Sequence, residues 1–556
     1  MGETKIIVTI GPASMGNSVL KKFFKNSVSI IRVNTAHANI EDVKKLKKKV
    51  DYLNKEFKKY VGIMLDLKGP ELRTVNTENF TIKFNSEYFL TGKKLNEKSI
   101  IINKPDVIRS IKRNDTILMT DGKIKFKVLD ITDDYAKIKA LNDGVLRDHA
   151  RINIPGRYID VGVLTDQDLK FLKEGIKNDI DFFALSFVQS KENVQNLQKI
   201  IIENSGDQAI ISKIETKSGL ENLSGIVKVS DAIMVARGDL GVELPLEEIG
   251  IVQKNIIRES HKYGIPTIVA TQMLESMVNE TSPTRAEVSD VTNAILDNAD
   301  AVMLSEETAI GKHPDLAVLS MKKIIDYVES KVKDFPEPEE FLGNRIAYSI
   351  ARASKSIARE IDADGILGFT SHGNTAKMLS AVRPGIPVYI AVTNEKLARK
   401  LNVLRGINTF IIEEKNASDI NINLNAMQKF FKIKKGSRIV VTSGAPYFMF
   451  GGTNSVMAIT VGEFIGRGYP VGKPFKGSVT ISGKRGNVLL VKNKIKEIDK
   501  NFMKYKGIIF TENVPFEIME FLEKNRINAL YNTKLYVFPN EGEMVYIDSY
   551  TGTIIR

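Results

Sequence analysis

Residues Ile211–Leu244, ISKIETKSGLENLSGIVKVSDAIMVARGDLGVEL, read as strand, helix, strand, with charge where a buried strand should carry none. In AIISKIE the side chains alternate faces, so Lys213 and Glu215 point the same way at the end of an apolar run. The second strand, AIMVA, runs into Arg237, Gly238 and Asp239 one right-handed βαβ unit later, which makes the two strands neighbours. Glu215 and Asp239 are therefore expected to face each other beside Lys213. Two carboxylates with open positions suit a hard divalent cation such as Mg2+ (or Mn2+), which prefers oxygen ligands and completes its shell with substrate oxygens. Lysine adds a positive point charge, and the glycines of ARGDLG let backbone N–H groups approach an anion. Taken singly, KIE also reads as a strand end with a surface ion pair and RGDLG as a turn; their shared context favours a site.

Working outward, the first segment alternates KIIVTIG, a helix near Val19 to Lys25, SIIRVN, a lysine-rich helix from Glu41 to Phe57, and VGIMLDL. That alternation predicts a parallel sheet or a (β/α)8 barrel, whose active face is built at the strand C-termini. Arg32, Asn34 and Asp66 stand at such ends, as do Ser186 after DIDFFAL and Thr271 and Gln272 after TIVA. Helix capping is the alternative for any one of them. Between about Pro70 and Pro155 helical periodicity gives way to short alternating segments with a hairpin signal at Asp121-Gly122, an inserted all-β domain. Thr284 and Glu287 fit a capping box, so Arg285, Glu287 and Asp290 read first as structural. A Pro- and acid-rich linker near residue 335 precedes a doubly wound α/β domain, and a small domain of short strands closes the chain.

Composition bounds the function. At 556 residues the chain exceeds the roughly 250–300 at which one core stops growing, so several domains are expected. The net charge of +13 is spread along solvated helix faces, and no basic run is interleaved with aromatics, so small anions rather than nucleic acid are the expected partners. There is no cysteine, which excludes thiolate metal sites, and His37, His149, His261, His313 and His372 never reach ligand spacing. No basic-apolar leader and no run of about twenty apolar residues occurs, so a cytoplasmic protein without a membrane partner is expected.

KIET, MVARGDLGVE, ATQMLESM, SPTRAEVSDV and AVMLSEETAIGKHP, with TKIIVTIGPAS near the start and LDLKGPELRT at Leu65–Thr74, resemble the pyruvate kinases in order and spacing. The likeness covers residues 3 to 460. It implies an α/β architecture: a TIM barrel in two parts (1–69 and 158–332), an inserted β-barrel lid (70–157), an α/β regulatory domain (340–462) and an extra domain (471–556) like that of some bacterial members. The extra domain is akin to phosphohistidine domains, but no histidine follows His372, which rules out a phosphohistidine carrier.

The implied reaction is phosphoryl transfer from phosphoenolpyruvate to ADP, giving pyruvate and ATP, the last step of glycolysis. Lys213, Arg32, Arg73 and Thr271 are then catalytic; Lys213, Gly238, Asp239, Thr271 and Ser186 bind substrate; Asn34, His37 and Arg73 meet the nucleotide. Glu215 and Asp239 hold Mg2+, while Asn34, Asp66 and the Leu67 carbonyl hold K+. Ala36 replaces the family's serine in that potassium site and Leu67 its threonine, which weakens the site; Glu71 matches the potassium-dependent members. In HARINIPG, Ala150 stands where the family carries a lysine and Arg151 follows it, which weakens an expected nucleotide contact. Thr370, Ser371, Gly373 and Thr375 form the implied effector loop for a sugar phosphate or nucleotide, with His372 where serine is usual, and the family's homotetramer is expected. Outside the resemblance, a metal-dependent aldolase or lyase acting on pyruvate enolates, or a catalytically silent homologue, would share parts of this pattern.

Overall fold

KIIVTI, VSIIRVN and GIMLDL are buried along nearly their whole length, as strands covered on both faces must be. The computed structural model describes residues 3–75, 79–157, 162–332, 334–416, 419–444, 452–483 and 486–556. The expected return of the insert, at residue 157, borders on residues outside the described ones.

Eight parallel strands close into a barrel in sequential order: β1 (Lys5–Ile10), β2 (Val28–Asn34), β3 (Gly62–Leu67), β4 (Phe182–Leu185), β5 (Ala209–Ile214), β6 (Ala232–Ala236), β7 (Thr267–Ala270) and β8 (Ala301–Leu304). The register pairs Asn34 with Asp66, Asp66 with Ala184 and Lys213 with Met234, which stacks the polar strand ends at one rim. Helices such as Ile40–Phe57 and Ile249–His261 cover the outside. The capping box at Thr284 forms as expected, with Glu287 returning a carboxylate to the cap.

The insert is all-β. A six-stranded sheet running from Glu87–Thr91 to Ile152–Asn153 and a two-stranded one, Phe80–Ile82 with Gly144–Leu146, enclose a core that includes Phe126 and Ile138. The hairpin turns at Asp121 and Gly122, both in left-handed backbone. Asp168 accepts from Lys68 N (2.9 Å) and Gly69 N (3.2 Å) and so anchors the chain where it leaves β3.

At the opposite rim, three acids standing just before strands and Glu329, in the helix Pro314–Lys331, meet cations from two later segments, 371–385 and 394–411, which pack as part of the same compact unit as the barrel. Asp300 pairs with Arg383 (2.8 Å), Asp181 with Arg399 (2.7 Å), Asp207 with Lys400 (3.0 Å) and Glu329 with the fully buried Arg405 (2.9 Å). These acids also accept strand N–H groups: Thr267 donates to Asp300 and Ile63 to Asp181, both at 2.9 Å. His261 Nε2 sits 3.1 Å from Arg383 Nη2 and 3.2 Å from Asp300. Burial, aided by Arg383 and opposed by Asp300, holds the His261 pKa below the usual range. An unfolded histidine takes a proton near pH ~6.5 and the folded one only at lower pH, so the unfolded state binds more protons there. Stability from this group is present above that pH and is lost as pH falls, at up to about 1.4 kcal/mol per pH unit. The fall in unfolding temperature between pH 7 and pH 5 is therefore expected to be smaller in His261→Gln; an unchanged fall would refute the assignment.

The second compact unit holds two further structures. In the first, strands Val388–Val392, Gly365–Phe369, Arg438–Ser443 and Ser455–Thr460 lie side by side, the last antiparallel. In the second, seven strands from Phe464–Val471 to Thr553–Ile555 form a closed barrel around Phe475, Ile509 and Ile547. Gly507 is required there, because a Cβ would come within 2.0 Å of the Phe475 ring. No helix among the described residues is long and apolar enough to cross a membrane.

Candidate active site

The strand ends of β2 to β5 converge on one buried charge cluster. Lys213, inward-facing at the end of β5, has its Nζ 3.1 Å from Asp66 Oδ1 and 2.9 Å from Glu215 Oε1, and donates to Ser186 Oγ at 2.8 Å. Arg32 pairs with Asp66 Oδ2 through Nε and Nη2, both at 2.7 Å, and donates from Nη1 to Thr9 Oγ1 at 2.9 Å. Ser186 Oγ donates in turn to the Leu67 carbonyl at 2.8 Å. Lys213, Glu215, Asp66, Arg32 and Ser186, all expected from the sequence, are thus brought together.

The electrostatics follow from this packing. Burial works against the charge on Lys213, but Asp66 and Glu215 outweigh it and hold the ammonium above the ordinary lysine range. For Asp66 burial is again outweighed, here by Lys213 and Arg32, and the carboxylate is held low. Glu215 is pushed up to about 7 by burial, with Lys213 opposing and the neighbouring charge of Asp239 adding. Glu215 Oε2 accepts from Phe187 N at 2.7 Å, whereas Oε1, although close to Lys213, receives no aligned hydrogen bond and keeps acceptor capacity in a buried site.

Asp239 lies in the first turn of the helix Arg237–Glu243, directly after β6. Its Oδ1 accepts from Arg151 Nη1 at 2.6 Å, a contact no sequence pattern announced. The Arg151 guanidinium lies 4.6 Å over the Phe187 ring, with its Nε 3.7 Å from Glu71 Oε1. Gly238 N donates to Thr271 Oγ1 at 2.8 Å, and Thr271 Oγ1 donates to the Ala270 carbonyl at 2.6 Å. Thr271 and Gln272 have φ of 68° and 54°, and Arg237 Nη2 holds the Thr271 carbonyl at 2.7 Å. Arg237 also pairs with Asp290 (2.8 Å), an ion pair in keeping with the structural reading of Asp290.

Other expected residues sit apart from the cluster or are engaged elsewhere. Arg73 is paired with Glu71 (2.6 Å) and the His149 carbonyl (2.7 Å) at the root of the insert. Asn34 Oδ1 accepts from Ala36 N at 3.1 Å, and His37 is exposed one turn on. Gly373, at φ 93°, opens the helix Asn374–Ala381, in which Thr375 is buried. Ser371 and His372 line a cavity of about 280 Å³ with Lys377, Lys396 and Lys400. Thr370 is buried at the end of the strand Gly365–Phe369.

Two carboxylates with a buried oxygen in reserve are a fitting donor set for Mg2+, which takes few protein ligands; among the described residues no three His, Cys, Asp or Glu side chains are placed to hold a metal ion together. The potassium donors fit less well, because Arg32 and Lys213 engage both Asp66 oxygens and Ser186 takes the Leu67 carbonyl.

Comparison with known proteins agrees with this geometry. The pyruvate kinase barrel domain matches residues 1–318 and the pyruvate kinase alpha/beta domain residues 348–459. A pyruvate kinase of Thermoplasma acidophilum is 48% identical over 557 residues, covering 100% of this chain and 98% of that protein. One from Thermotoga maritima is 36% identical, covering 83% of this chain and 100% of that protein. The crystal structure of a pyruvate kinase from Cryptosporidium parvum superposes with a TM-score of 0.76 at 32% identity, covering 83% of this chain and 96% of that one. With a barrel, an insert and a rim cluster of this kind, the chain belongs to the pyruvate kinase family and is a phosphotransferase of glycolysis.

Proposed function

We propose that Lys213 is the centre of phosphoryl transfer from phosphoenolpyruvate to ADP in this chain. The observation that carries the reading is its ammonium, buried and fixed by Asp66, Glu215 and Ser186 at the barrel rim. In phosphoryl transfer little covalent work falls to the protein, so positioning and charge stabilisation dominate. Lys213 neutralises the phosphoryl oxygens as the bond to the enol oxygen breaks and a β-phosphate oxygen of ADP takes the phosphorus; it then faces the enolate oxygen. Arg32 grips phosphate from the other side of Asp66, and Arg73 joins it on leaving Glu71. The Gly238 N–H, now spent on Thr271, is offered to the substrate carboxylate, and the freed Thr271 hydroxyl orients substrate and relays the proton that turns enolate into pyruvate. Ser186 positions Lys213, while Asn34, His37 and Arg73 meet the nucleotide.

Members of this family generally use Mg2+ and K+. Glu215 and Asp239 hold Mg2+ or Mn2+, which when bound supplies a Lewis-acid charge to substrate oxygens. A coupled assay for pyruvate tests the whole reading: formation should require phosphoenolpyruvate and ADP together and stop when Mg2+ is chelated. Pyruvate formation indifferent to ADP would overturn it.

For the monovalent ion we expect a requirement with weakened affinity, since Ala36 supplies no hydroxyl and the Asp66 oxygens are already paired. Ala36→Ser should lower half-saturating K+ by about tenfold, the worth of one added oxygen ligand of ~1.4 kcal/mol. Full activity of the unaltered chain without K+ or ammonium would refute the requirement. A homotetramer and an anionic effector at Thr370, Ser371, Gly373 and Thr375 belong to the same proposal. Light scattering and a screen of sugar phosphates and nucleotides test them.

A further inference from the structure

The last strand of the inserted domain meets the helix that carries Asp239 at two points. Arg151 Nη1 donates to Asp239 Oδ1 at 2.6 Å, and Asn153 Nδ2 donates to Glu243 Oε1 at 3.1 Å. Residues two apart on a strand share a face, and residues four apart on a helix share a face, so the two contacts form one zipper. Within its own domain the strand is held by backbone bonds: Ile152 N donates to the Leu72 carbonyl at 2.8 Å and Thr120 N to the Arg151 carbonyl at 3.1 Å.

Arg151 also answers a charge problem. Glu215, Asp239 and Glu71 all lie within its electrostatic reach, and the first two repel each other. Its guanidinium is, with Lys213, a positive partner of the carboxylate pair, and only 15% of its side chain is exposed. A divalent cation bound to Asp239 would share that carboxylate with the Arg151 guanidinium, and the two positive charges at such short range repel each other.

We propose that Arg151 and the divalent cation are alternative occupants of Asp239, so that loading the metal unlatches the last strand of the insert from the helix Arg237–Glu243. The inference rests on the assignment of Glu215 and Asp239 as metal ligands. It makes Arg151 a positioning residue that couples the state of the insert to metal loading.

Mn2+ binding to the full chain, without phosphoenolpyruvate or ADP, is followed by the loss of the free-ion paramagnetic resonance signal. Arg151→Met should bind Mn2+ about tenfold more tightly than the unaltered chain, with Arg151→Lys, which keeps the charge on a shorter reach, in between. Hydrogen exchange gives the second readout: Mn2+ should speed exchange at Ile152 and Asn153 in the unaltered chain, whereas in Arg151→Met those amides exchange fast from the outset. Equal Mn2+ affinity in Arg151→Met, or exchange indifferent to Mn2+ in the unaltered chain, overturns the proposal. Glu215→Gln separates the two layers. If it loses Mn2+ while Arg151→Met is unchanged, the latch alone fails; if it binds Mn2+ like the unaltered chain, the metal assignment falls and takes the latch with it.

Discussion

Lys213→Met lowers the turnover of pyruvate formation by about two powers of ten or more, the loss typical of removing one preorganised charge from a site where negative charge develops. Methionine keeps the length and apolar stem of the side chain, so the rim loses an ammonium without gaining a cavity. What remains is the buried pair Asp66 and Glu215 without the ammonium that bridged them, Asp66 still paired with Arg32 and Glu215 left with the more distant Arg151. The variant is therefore expected to be less stable as well as slower, and circular dichroism at the assay temperature separates the two effects. Lys213→Arg keeps the charge but replaces a compact ammonium by a planar fork that cannot keep the contacts to Asp66, Glu215 and Ser186, so it should also be slow. Turnover of folded Lys213→Met within about threefold of the unaltered chain, a change below 1 kcal/mol in the barrier, would remove Lys213 from its role.

Arg405→Ala should cost about 3–5 kcal/mol of folding stability, the usual penalty for stranding one member of a buried ion pair. The Arg405 side chain is fully buried, 2.9 Å from Glu329 Oε1, and its guanidinium carbon lies 3.7 Å over the Phe335 ring. Glu329 in turn accepts from Thr4 N (2.9 Å) and Thr4 Oγ1 (2.6 Å), tying the start of β1 to the same point. Without the arginine, Glu329 keeps a buried charge and Phe335 loses its cover. Arg405→Met combined with Glu329→Gln should recover a large part of the loss, because an apolar and neutral replacement carries no unpaired charge. Denaturant unfolding of the three forms checks this. A cost below about 1 kcal/mol for Arg405→Ala, within the range of ordinary surface changes, would show that the pair is not buried as described.

The barrel was legible because its strands are apolar runs separated by helix-period segments, and the insert because Pro70 to Pro155 changes period. Within the site, Lys213 and Glu215 were legible from strand alternation alone, and Arg32, Asp66 and Ser186 from standing where strands end. The contact of Arg151 with Asp239 was not, because it depends on how a separately folded domain returns across the rim, and no local pattern encodes that. The acids of the opposite rim carried a signal that went unread: Asp181, Asp231 and Asp300 each stand one residue before a strand. Asp300 pairs with Arg383, Asp181 with Arg399 and Asp231 with Lys377, and amphipathic periodicity does not distinguish such a cation from one facing water.

Thr271 has one more implication. A β-branched residue in left-handed backbone is held there at a cost of order 1–3 kcal/mol, which glycine would not incur. Yet the Thr271 hydroxyl receives the Gly238 N–H, and in the proposed mechanism it hands a proton onward, neither of which glycine can do. The residue that would make this bend most comfortable is thus not the one the proposed chemistry calls for, and under that proposal robustness and turnover pull position 271 in opposite directions.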